Sequence, residues 1–167
     1  DEESDQFLGE VYPYTYATHN RLLNKLVDDK PEIISYMVPM MEPENEIDKT
    51  NLKKFHSSIQ NFKVNNGIFR FGTDKDAWGE QIPPEGLVDL GYSLGIINKD
   101  GNVFSRDDVT RRVILNISGE DSLHLWLANK YRLKKGLGRL EASSFKGSYY
   151  DREADATFSL FRYGSNP

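Results

Sequence analysis

The stretch from Pro83 to Ile117 places the strongest constraint on what this chain can fold into. At its centre, Asn98-Lys99-Asp100-Gly101-Asn102 gathers turn formers. Glycine takes a positive φ at no steric cost, and Asn and Asp side chains bond their own backbone. Before the turn, Leu87, Leu90, Leu94 and Ile97 recur every three or four residues, the spacing of one helix face. After it, Ser105 suits an N-cap, and Asp107 and Asp108 fall where a helix start is partially positive. Val109, Val113 and Ile114 then continue as a second stripe. The pattern predicts a helical hairpin whose apolar sides press together in the core, Leu90 and Ile114 among them, around a turn that holds no cation.

The same turn resembles an EF-hand or dockerin calcium loop with Gly101 as its glycine. Asn98 and Asp100 then stand at the third and fifth loop positions, Val103 at the apolar eighth and Asp107 at the twelfth. Ile96, which has no oxygen to offer, occupies the first position. The resemblance implies calcium on Asn98, Asp100 and Asp107. A capped turn without metal is the competing reading.

Pro83-Pro84-Glu85, followed by Leu87 to Gly101, is similar in layout to the fungal haem-thiolate peroxidases. Those enzymes carry Pro-Cys-Pro, an apolar helix, an Asp-Gly turn and a second helix. The resemblance implies a helical peroxidase-like fold. Pro84 stands where the iron-binding cysteine would be, and Glu141-Ala142-Ser143 where a Glu-His-Asp triplet would be. Without its thiolate, that site loses the ligand that drives its chemistry.

At 167 residues the chain reads as one domain with a sizeable core. Its 38% hydrophobic and 28% charged content belongs to a soluble globular protein. The lack of cysteine excludes disulfides, zinc-thiolate sites and thiol nucleophiles. No apolar run approaches a membrane span and no signal peptide opens the sequence. The acidic start reads as a processed end or the edge of a fragment. The sequon Asn116-Ile117-Ser118 is compatible with secretion.

Charge is unevenly spread. Residues 1–84 carry 15 acids and 9 bases, whereas 85–167 carry 11 acids and 12 bases. Within 130–146, Lys130, Arg132, Lys134, Lys135, Arg139 and Lys146 face Glu141 alone, a local charge of +5. An acidic front and a basic stripe behind it suit self-association or docking on a charged partner. Tyr131 and Phe145 among these bases also fit single-stranded nucleic acid.

Elsewhere the pattern is mostly helical. Tyr12, Tyr14 and Tyr16 form an extended aromatic strip, which docks on the core or on a partner. Helices are expected from Thr18 to Leu26, from Pro31 with Ile33, Ile34, Met37 and Val38 inward, and from an Asp48 cap onward. The last of these buries Leu52, Phe55, His56, Ile59 and Phe62. Asn66-Gly67 between apolar alternation predicts a β-hairpin over 62–71. A helix opened by Glu120 and Asp121 turns Leu123, Trp126, Leu127 and Tyr131 inward and stops at Gly136 and Gly138. Thr157 to Tyr163 reads as a strand pairing with that hairpin. Asp151, Glu153 and Asp155 alternate as metal ligands can, and as solvated loop acids commonly do.

The expected fold is mainly α with a small β element (α+β): helical hairpins around one core plus a short antiparallel hairpin. Residues 1–16 form an arm, 17–147 the core domain, and 148–167 a second arm containing a strand. His19, His56 and His124 fall on separate helices, and neither a nucleophile elbow nor a phosphate loop is present. The expected function is a non-catalytic interaction or structural domain acting on a protein partner or on further copies of itself. No cofactor is predicted, with calcium the one metal left open. The alternatives are a peroxidase-like enzyme, a calcium module and a nucleic-acid binder.

Overall fold

The computed structural model describes residues 2–73, 75–76, 79–80, 82–94 and 112–160. Its elements run α1 (Glu2–Leu8), α2 (Tyr16–Asp28), β1 (Ile33–Tyr36), α3 (Glu46–Val64), β2 (Ile68–Thr73), β3 (Lys75–Asp76), β4 (Gly79–Glu80), β5 (Tyr92–Leu94), β6 (Arg112–Ile117), β7 (Glu120–Asp121), α4 (Leu123–Lys134), β8 (Ser148–Asp151) and β9 (Ala156–Leu160). Short 3-10 turns lie at Val88–Leu90 and Ala142–Ser144. The mainly helical expectation is therefore corrected. The fold is mixed, with a three-stranded parallel sheet, a four-stranded antiparallel sheet and the two-stranded β3-β4 ribbon. The chain divides into two compact units, Asp1–Phe71 with Ile82–Tyr92 and Gly72–Gln81 with Ser93–Pro167.

The first unit is built on a strand–helix–strand crossover. Parallel neighbours need a long connection, and α3 supplies it between β1 and β2. The register sets Ile34 beside Phe69 and Tyr36 beside Phe71, and all four are buried. They share one core with Tyr16 and Leu23 of α2, Leu52, Phe55, Ile59 and Phe62 of α3, and Leu87 and Leu90. The buried face of α3 is thus the expected one, apart from His56, which is half-buried. Its N-cap is Asn45, whose side chain accepts from the Asp48 amide at 2.9 Å. Asp48, the expected cap, instead accepts from the first amide of α2, at Tyr16, at 2.9 Å.

The end of α3 corrects the expected hairpin. Asn66 takes φ 65°, Gly67 N–H donates to the Phe62 carbonyl at 3.0 Å, and Asn66 N–H donates to Lys63 at 3.2 Å. These are the paired bonds of a Schellman helix stop. Hairpin turns and helix stops both require a left-handed residue, so Asn-Gly signals either. The helix expected after Pro31 is strand β1, because its short apolar run finds a partner in β2. A run of that length suits either period. The acidic start forms α1.

The central hairpin is corrected as well. Leu87 to Leu90 make a turn and a 3-10 segment, Gly91 takes φ 92°, and β5 follows. Residues 95–111 lie outside the described residues, and with them the Asn98–Asn102 turn. Past them, Arg112–Ile117 is strand β6 rather than helix. Leu90 and Ile114 are both buried, but in different cores.

In the second unit the antiparallel order is β7-β6-β9-β8. Ile114 pairs with Phe158 across β6 and β9, with a register irregularity between Ile114 and Asn116. The β6-β7 hairpin closes through Ser118 at φ 49° and Gly119 at φ 83°. Two positive φ values in a two-residue loop match the twist of the flanking strands. Ile114, Ala156 and Phe158 are buried with Ile117 against them, and Tyr149 stacks on Phe158 at 5.6 Å. The expected C-terminal strand exists as β9, but it pairs with β6 and β8 rather than with residues 62–71.

Two predictions follow from the first unit. A Cβ at Gly67 would clash with the buried Phe62 ring. Gly67→Ala should cost about 1–3 kcal/mol in urea unfolding, as overpacking does. His19 is buried, and burial lowers its pKa from an ordinary 6.5, against an opposing hydrogen bond to the Tyr14 backbone. The unfolded chain therefore takes up a proton that the folded chain resists. Stability is complete above about pH 6.5 and falls as pH drops from there towards the folded pKa. His19→Gln should remove this part of the pH slope, read from unfolding midpoints between pH 7.5 and about 5.

Candidate docking surface

Helix α4 starts where Ser122, fully buried, accepts from the Leu125 amide at 3.5 Å. Leu123 and Leu125 are buried, while Trp126, Leu127 and Ala128 are half-buried. Tyr131, expected inside, is 50% exposed. The helix stops as expected at Gly136, which takes φ 69°, with Leu137 N–H donating to the Arg132 carbonyl at 2.8 Å.

The segment after this stop is held by side chains of the helix. Asn129 Nδ2 donates to Asp121 Oδ2 at 3.1 Å and to the Leu140 carbonyl at 3.0 Å, and Asn129 Oδ1 accepts from the Leu140 amide at 2.8 Å. Arg132 Nε donates to the Gly138 carbonyl at 2.7 Å. Arg139 reaches Asp121 at 2.9 Å and Glu141 at 3.4 Å. Both arginines of the basic stripe are thus engaged with this chain itself. Lys130 lies over the Trp126 ring at 5.3 Å and Lys135 over Tyr131 at 5.4 Å. Lys134, Lys135 and Lys146 are exposed, and Lys130 is half-buried.

Among these bases, Leu133 is 71% and Leu137 49% exposed. The sequence reading did not single them out. Their signal was present as leucines one residue on each side of the Lys134–Gly136 segment, off the face that carries Leu123 and Leu127. Tyr131, Leu133 and Leu137 are thus exposed apolar side chains in a segment rich in cations.

The other sequence candidates separate. Tyr16 is core, its hydroxyl donating to the Met41 carbonyl at 2.6 Å. Tyr14 donates to Asp5 at 2.9 Å and meets the His19 ring edge-on, and Tyr12 is exposed beside it. The Tyr36 hydroxyl and His19 Nδ1 share a 2.7 Å hydrogen bond inside the core. Burial raises the Tyr36 pKa, so its phenol stays protonated. His56 Nε2 meets both Asp89 oxygens, at 3.0 and 3.1 Å, and this bond lowers the Asp89 pKa. Lys63 donates to the Leu90 carbonyl at 3.2 Å. Together these contacts fasten the 88–90 turn to α3.

His124 is exposed on α4. Asp151 Oδ1 accepts from the Glu153 and Ala154 amides and Asp155 accepts from Tyr150, so these acids shape a turn. Asn98, Asp100 and Asp107 lie outside the described residues. Among the described residues, no group of three or more His, Asp or Glu is placed to hold a metal, and no helix is long and apolar enough to cross a membrane.

Asn129→Ala should free residues 137–140 and cost about 1–3 kcal/mol through the unpaired groups it leaves behind. Faster hydrogen exchange at the Leu140 amide, with amides of β6 and β9 unaffected, is the expected readout. No family model, curated protein or solved structure matches this chain.

Proposed function

We propose that this protein is a non-catalytic interaction domain whose α4 end docks on an acidic protein segment carrying an apolar side chain. The observation that carries this reading is the exposure of Leu133 and Leu137 among lysines. Covering an exposed leucine side chain is worth about 1.5–3 kcal/mol, and the cations select for acidic neighbours by steering and register.

A protein partner is favoured over nucleic acid by the state of the aromatics and arginines. Single strands bind by stacking bases on open rings, whereas the Trp126 and Tyr131 rings carry Lys130 and Lys135. Arg132 and Arg139 are hydrogen-bonded to Gly138, Asp121 and Glu141, so their forks are not held ready for phosphate. Leucine methyl groups offer nothing to a phosphate backbone.

The test is titration of the full chain with an acidic helical peptide bearing one phenylalanine, followed by fluorescence anisotropy. Binding should weaken at least tenfold in Leu133→Ser/Leu137→Ser and fall with salt. The same peptide with serine for phenylalanine should bind several-fold more weakly. A single-stranded oligonucleotide that binds where the peptide does not would overturn the reading.

A further inference from the structure

We infer that the acidic segment is this chain's own α1, so that copies associate head to tail, α1 of one on the α4 end of the next. The inference rests on the docking reading above and names the partner. Residues 1–10 hold five acids and no base, a local charge of −5 that mirrors the +5 of residues 130–146. On α1, Glu2, Glu3 and Asp5 accompany Phe7, which is 90% exposed. Glu3 and Phe7 are four residues apart and so share a helix face. A carboxylate and a ring on one face complement lysines and leucines on the other surface.

Presentation matters as much as composition. α1 is not a loose tail, because Asp5 is held by the Tyr14 hydroxyl and Tyr14 packs on His19 of α2. A tethered helix loses less freedom on binding than a disordered peptide. Phe7 and Leu133 are largely uncovered by their own chain, and Leu137 is half-covered.

The two surfaces differ, so the contact is heterologous. A pair of copies then keeps one unused α1 and one unused α4 end, and association proceeds to open chains or to a ring. A seven-residue helix buries a small area, which places the contact in the weak, concentration-dependent class.

Sedimentation velocity of the full chain tests this. At about 20 mM salt the average sedimentation coefficient should rise with concentration, and at about 500 mM the rise should vanish as screening shortens to a few ångströms. Phe7→Ser removes the donor and Leu133→Ser/Leu137→Ser removes the acceptor, with circular dichroism confirming that both fold. Each variant alone should be monomeric, while their mixture should yield a discrete 1:1 dimer, because each supplies the surface the other lacks. A wild-type monomer at every concentration overturns the inference, as does self-association that survives both variants or a mixture that stays monomeric. If the wild type is monomeric yet the acidic peptide binds at Leu133 and Leu137, only the identity of the partner is wrong. If the peptide also fails, the docking reading falls with it.

Discussion

The first unit depends on the packing of Phe55 between its helices and its sheet. From α3, this fully buried ring meets Tyr16 and His19 of α2, Tyr36 of β1 and Phe71 of β2, with ring centres 5.6–6.4 Å apart. Tilted and edge-on pairs at such distances add about 0.5–1.5 kcal/mol each beyond area burial. One side chain therefore joins both helices to both strands of the crossover. The polar atoms carried into that seam are matched there: His19 with Tyr36, and the Tyr16 hydroxyl with the Met41 carbonyl. Matching is what makes such burial tolerable, since an unpaired buried polar group is costly.

The surface around α4 follows the opposite logic. The helix commits Asn129 and Arg132 to scaffolding, and with the Asp121–Arg139 pair outside it they fix the segment that follows. Apolar side chains remain outward where a free-standing surface would carry polar ones. Charge alone would have described this region as a solvated basic helix end. The leucines exposed among the lysines support the docking proposal, and the division of charge along the chain supplies the complementary sign.

Where the sequence reading of the fold failed, it failed on short segments. Ile33 to Tyr36 and Arg112 to Ile117 are runs of four and six residues whose apolar spacing fits a helix or a strand. Only the arrival of β2 beside the first and β9 beside the second decides between them. Asn66-Gly67 carried the right local message, a left-handed residue, attached to the wrong element. The tetrad Leu52, Phe55, Ile59 and Phe62 was readable because nineteen residues of helix repeat the period enough times to exclude a strand.

The sequence by itself determined the residues whose behaviour is local: the long amphipathic α3, the stop of α4 at Gly136, the opposed charges of residues 1–10 and 130–146, and the exclusion of all cysteine chemistry. Tertiary structure alone decided the strand pairings, the separation of Leu90 from Ile114 into different cores, and the outward placement of Leu133 and Leu137. The physical reason is range. Periodicity, caps and charge are written within a few residues, whereas which apolar side chains are covered depends on partners far away in the chain.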